Sequence, residues 1–147
     1  MANRELSKAE WLDKAEAYCA KSEHCAADVK RKLFEWQAPL DLHDEIEQKL
    51  RENNFINDSR FCCAYVHDKV EYQAWGRLKI QAALRALQLP ETDIHNALSM
   101  IDENKYRENL KSLIRQRQAD TEDKRFRFLL QRGFTFDEIK NANNLHM

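Results

Sequence analysis

Two glycines, Gly76 and Gly133, and two prolines, Pro39 and Pro90, are all that this chain of 147 residues contains. A sandwich or hairpin-rich barrel needs residues that accept positive φ at regular intervals, and this chain cannot supply them. Phosphate-cradling loops and dinucleotide fingerprints need clustered glycines, which excludes P-loop and Rossmann enzymes. What remains is an all-α protein. With 43% hydrophobic and 33% charged residues, the chain can bury a core, and its helices must carry heavily ionic outer faces.

No apolar run approaches the roughly 18 residues of a membrane span. The opening segment also lacks the apolar stretch of a secretory signal. The sequence therefore predicts a cytoplasmic protein with no membrane partner, in which Cys19, Cys25, Cys62 and Cys63 are reduced thiols.

Apolar residues recur at helical spacing. Asn57-Asp58 reads as an N-cap region before Phe61, Ala64 and Tyr65; Ile80, Ala83, Leu84 and Leu87 follow beyond Gly76; Ile94, Ala97, Leu98 and Ile101 follow Pro90. The next stretch repeats this order. Tyr106, Leu110, Leu113 and Ile114 form one stripe, Phe126, Leu129 and Leu130 a second, and Ile139 and Ala142 a third behind Gly133 and a Thr135 cap. Phe61 to Tyr106, Leu84 to Leu129 and Ile94 to Ile139 share one offset of 45 residues, the mark of an internal repeat. The first part fits with unequal offsets, 49 for Leu12 to Phe61 and 51 for Leu33 to Leu84, because of extra chain around Ala38-Pro39-Leu40. The reading is three tandem three-helix repeats, 9–54, 57–103 and 104–146. Each is too small to be stable alone, so the units are expected to stack into an elongated curved rod.

Net charge is −1, yet the charges are sorted. The second helices (26–37, 77–88, 121–132) hold 10 basic and 4 acidic residues, and the third helices (41–52, 90–103, 135–146) hold 3 basic and 11 acidic. The simplest picture is one basic and one acidic edge. Lys30, Arg31 and Lys32, then Arg77, Lys79 and Arg85, then Lys124, Arg125, Arg127 and Arg132 recur at matching places. Such helices can follow a phosphate backbone or meet an acidic protein groove.

Other chemistry finds little support. Cys63 and His67 lie one helical turn apart, but no Cys-x-x-Cys pair marks a zinc site. Asp41, Asp44, Glu45 and Glu47 gather at the start of a predicted helix, where negative charge complements the dipole. Tyr72 and Trp75 stand near Arg77 and Lys79, where they can stack on a base or pack on a partner, with core packing the simpler role. The expectation is no catalytic residue, no metal and no cofactor.

The stretch from Asn54 to Phe61, followed by Ala64-Tyr65-Val66, resembles the central signature of the RecX regulatory proteins. Gly76-Arg77-Leu78-Lys79-Ile80 with Leu84 looks like that family's glycine and Lys-Ile helix, and Arg132-Gly133-Phe134 with Asp137 and Ile139 like its C-terminal segment. Cys25-Ala26-Ala27-Asp28 stands where relatives commonly carry a Ser-x-x-Glu cap. The chain departs from the pattern at Ala86-Leu87-Gln88-Leu89, where relatives often have a Lys-Gly turn. The resemblance runs from about residue 9 to 143.

It implies a non-enzymatic modulator that binds the RecA recombinase filament and mainly inhibits its ATPase and strand-exchange activities. Single-stranded or duplex DNA is then met through the filament. Arg60, Arg77, Lys79, Arg85, Lys124, Arg125, Arg127 and Arg132 are the expected contact residues, Asp58 the expected cap, and the two glycines the expected source of backbone freedom at helix ends. The alternatives are a stand-alone helical nucleic-acid-binding module and, less supported, a metal-dependent enzyme using the acidic helices.

Overall fold

The computed structural model describes residues 5–144. Residues 145 and 146, placed at the end of the expected last helix, lie outside the described residues. Among those described there are nine α-helices and no strand. They are α1 (Lys8–Lys21), α2 (Ala26–Glu35), α3 (His43–Glu52), α4 (Asp58–Glu71), α5 (Arg77–Ala86), α6 (Glu91–Ser99), α7 (Glu103–Gln116), α8 (Glu122–Gln131) and α9 (Phe136–Asn144). The extra chain around Pro39 becomes a 3-10 turn, Leu40–Leu42, ahead of α3.

The chain divides after Phe61 into two compact units. In the first, Trp11, Ala15 and Cys19 of α1, Val29 and Leu33 of α2, and Ile46 and Leu50 of α3 close over one another, joined by Ile56. In the second, the fully buried side chains include Ile80 and Leu84 of α5, Ile94 of α6, Leu129 of α8, Phe134 in the link that follows, and Ile139 of α9. Leu84 and Leu129, and Ile94 and Ile139, are pairs that the repeat offsets pick out. Leu130 of the expected apolar stripe instead faces outward, 42% exposed.

Helix ends explain much of the local structure. Ser7 and Glu10 form a reciprocal capping box on α1. At α4 the cap is Asn57, whose Oδ1 accepts the Arg60 N–H at 2.9 Å. Asp58, the expected cap, is already helical and accepts from Arg51 at 3.2 Å. Its carboxylate thus serves the first turn through charge rather than as the Ncap acceptor. At α9 Thr135 is the cap, and Glu138 returns the bond to the Thr135 N–H.

The second helices all end alike. The N–H of Ala38 reaches Leu33 O and that of Gln37 reaches Phe34 O; Leu89 and Gln88 do the same to Leu84 and Arg85, and Phe134 and Gly133 to Leu129 and Leu130. This is the Schellman arrangement three times over, and a left-handed residue stands at its centre each time: Gln37 (φ 62), Gln88 (φ 64) and Gly133 (φ 101). Gln88 therefore occupies the place of the glycine that the resemblance expects, at a steric cost on its Cβ. Gln88→Gly is expected to raise the stability of the folded chain by about 1 kcal/mol, read as an upward shift of the urea midpoint.

Candidate functional site

The sorted charges meet each other inside the units. On α2, Lys30 reaches Asp44 of α3 at 3.2 Å and Glu47 at 3.6 Å, while Arg31 and Lys32 pair with Asp28 and Glu35 of their own helix. On α5, Arg85 forms a two-pronged pair with Glu91 at the head of α6, at 2.6 and 3.1 Å. These bonds hold the Glu91 carboxyl below its ordinary range. Third-helix carboxylates thus answer second-helix cations, which explains the opposite charge of the two helix classes.

Arg77 is engaged further. Its guanidinium stacks on the Tyr106 ring at 4.2 Å, donates to Glu138 Oε2 at 3.2 Å, and also bonds Glu103. The Arg77 backbone N–H donates to the Tyr106 hydroxyl at 3.0 Å, which in turn donates to Glu138 Oε1 at 3.1 Å. Tyr106 is 2% exposed, and burial pushes its phenol up from the ordinary value. It acts as a hydrogen-bonded strut.

The α5 N-terminus also receives the end of α8. Gly76 N–H donates to Arg132 O at 2.7 Å, and Leu78 N–H to Gly133 O at 3.0 Å. Orphan amides at the start of one helix are thereby satisfied by carbonyls at the end of another. The two glycines lie against each other at this crossing. A methyl group on Gly76 would stand closer than 3.0 Å to the Gly133 carbonyl and the Phe134 nitrogen. Gly76 itself has φ −80, so it needs no left-handed freedom, contrary to the expectation from sequence; what it provides is the absence of a side chain. Only Gly133 needs both. Arg132 secures the same crossing by donating to the carbonyls of Gln73 and Ala74.

The remaining expected contact residues divide sharply. Arg60 bonds Glu23 and the carbonyls of Asn54 and Phe55. The Lys79 ammonium sits 4.2 Å from the Trp75 ring centre, with Lys69 at 4.5 Å from the same ring. Trp75 is therefore taken up by two cations of its own unit, whereas Tyr72 stays 74% exposed. Lys124, Arg125 and Arg127 differ. Among the described residues no carboxylate pairs with any of them. Of the two carboxylates in the first turn of α9, Asp137 and Glu138, the second is committed to Arg77, Tyr106 and Thr135. Sequence reasoning placed all eight cations in one class because pairing across helices has no signature in the chain.

No cysteine is in a disulfide; Cys19, Cys25 and Cys62 are buried, and burial pushes the Cys19 thiol up to about 11. Among the described residues no three His, Cys, Asp or Glu side chains gather to hold a metal, and no helix is long and apolar enough to cross a membrane.

The family model for the second three-helix domain of RecX matches residues 57–98. A curated "Regulatory protein RecX" of Clostridium botulinum is 32% identical over 103 residues, covering 63% of this chain and 48% of the relative. One of Pelodictyon phaeoclathratiforme is 29% identical over 127 residues, covering 83% and 79%. The chain thus spans about half the length of the Clostridium relative and most of the Pelodictyon one. A crystal structure described as regulatory protein RecX superposes with a TM-score of 0.75 at 23% identity, covering 98% of this chain and 81% of that one. At that identity the likeness is one of fold.

Proposed function

The chain belongs to the RecX family of regulatory proteins, and on that premise we propose that it binds the RecA recombinase filament and restrains its ATPase and strand-exchange activities. Such a role places it in recombination and DNA repair, with DNA reached through the filament. The modules 9–54, 57–103 and 104–146 would each lend a helix surface to that contact. The observation that carries the reading is that, among the described residues, no carboxylate pairs with Lys124, Arg125 or Arg127 of α8, although Glu122 and Asp123 stand in its first turn. Where α2 and α5 spend cations on their own third helices, Lys124, Arg125 and Arg127 are left for an acidic or phosphate-bearing partner. The other nominated arginines, Arg60, Arg77, Arg85 and Arg132, hold their own units together. Lys79 stays bound to Trp75.

Unpaired surface cations act on association rate and register, and their effect falls as salt rises. The triple variant Lys124→Ala, Arg125→Ala, Arg127→Ala is expected to need about tenfold more protein for half-inhibition of RecA ATP hydrolysis on single-stranded DNA. That ratio corresponds to about 1.4 kcal/mol of lost binding. The difference should shrink in high salt, and the circular-dichroism spectrum should not change. Undiminished inhibition by the triple variant defeats the α8 assignment. Absence of any inhibition by the unaltered chain, together with salt-steep binding to DNA free of recombinase, favours the stand-alone nucleic-acid module instead.

A further inference from the structure

Cys63 and His67 are one turn apart on α4 and have no part in the charge clasp or in the cations of α8. The fold adds a third donor that the sequence keeps 37 positions from Cys63. Met100, at the C-terminal cap of α6, puts its Sδ 4.0 Å from Cys63 Sγ. All three side chains line one hollow of about 260 Å³, which Glu71, Asp102 and Lys105 also border. Met100 is 75% exposed, an uncommon setting for a large apolar side chain, and Cys63 is the one cysteine here that is not buried.

We propose that Cys63, Met100 and His67 form a binding site for a soft monovalent metal ion, copper(I) in a reducing medium. A thiolate, a thioether and an imidazole are donors that select such an ion over magnesium or calcium, which take oxygen ligands. Zinc prefers four ligands from Cys, His and carboxylate, and no such set assembles among the described residues. The sulfur spacing fits as well. Two metal–sulfur bonds of about 2.3 Å meeting at about 120° span about 4.0 Å, so an ion between Cys63 and Met100 needs no displacement of either helix. His67, one turn along from Cys63 and edge-on to the Tyr72 ring, borders the same hollow and supplies the third donor. On binding, the Cys63 thiol gives its proton to solvent and no electron is transferred.

The test is a titration of the full chain with copper(I), anaerobically and with reductant, in competition with a chromophoric copper(I) chelator. One ion per chain is expected, with two sulfurs and one nitrogen around it by X-ray absorption. Cys63→Ser should abolish that binding. Met100→Leu and His67→Gln alter exposed side chains, so the fold should persist while each weakens the ion about tenfold or more. The inference is overturned if either of these two variants binds as tightly as the unaltered chain. It is also overturned if Cys63→Ser retains the ion, because the buried thiols would then be the ligands. Neither result bears on recombinase inhibition, which is measured separately.

Discussion

Replacing Gly76 by alanine is expected to cost the fold about 4 kcal/mol or more, a large share of the about 5 to 15 kcal/mol that holds a domain folded. The added methyl would meet backbone, the Gly133 carbonyl and the Phe134 nitrogen, both closer than 3.0 Å. Backbone cannot swing aside as the end of a lysine can. Relief requires α5 and the end of α8 to part, which breaks the 2.7 Å bond from Gly76 to Arg132 and the 3.0 Å bond from Leu78 to Gly133. Burying those amides without acceptors adds to the loss. Because Gly76 is also the N-cap of α5, a modest penalty of up to about 1 kcal/mol would follow from alanine's poor capping alone. Serine separates the two causes. It is a better cap than glycine or alanine, so a capping defect would be cured in Gly76→Ser, whereas a steric one would be as severe as in Gly76→Ala. Urea denaturation followed by circular dichroism decides it: a Gly76→Ser chain as stable as the unaltered one removes the close crossing as the reason for this glycine.

That crossing marks the boundary of what the sequence makes legible. Helix number, order and cores follow from periodicity, because a buried residue such as Leu33, Leu84 or Leu129 must recur wherever its module recurs. The offsets even locate the left-handed residue that ends each second helix, although two of the three are glutamines. Gly76 misleads because a glycine written between two helices looks like a hinge, and nothing local says that another segment 57 residues away lies against it. The charges mislead in the same manner. Sorting by helix is visible in the chain, but whether two sorted faces look outward or at each other depends on packing. Arg77 and Arg132 are cations of the basic helices whose partners lie 58 to 61 residues away, and they serve the fold. Lys124, Arg125 and Arg127 stand out only once those pairings are subtracted.

Glu138→Ala should have the second largest effect, a loss of about 3 kcal/mol, because one carboxylate there accepts from three donors on three segments. Its Oε1 takes the Thr135 N–H at 2.8 Å and the Tyr106 O–H at 3.1 Å, and its Oε2 takes the Arg77 guanidinium at 3.2 Å. The Arg77 and Glu138 side chains are 28% and 23% exposed, so water repairs the break only in part. All three bonds end on a charged acceptor, a class that contributes about 1.5 to 3 kcal/mol per bond, and solvent screening at these part-exposed side chains brings the total down. Glu138→Gln keeps one oxygen for Thr135 and Tyr106 and loses only the ionic bond, so it should cost distinctly less than alanine. Tyr106→Phe attacks the same network from its centre. It strips the Arg77 N–H of its acceptor at the α5 N-terminus and leaves Glu138 with one donor fewer, a loss of about 2 kcal/mol. If the three groups act as one clasp, the double variant Tyr106→Phe, Glu138→Ala will be less damaging than the two single losses added, by about 1 kcal/mol or more. Strict additivity in urea melts would mean that Tyr106 and Glu138 support the fold separately.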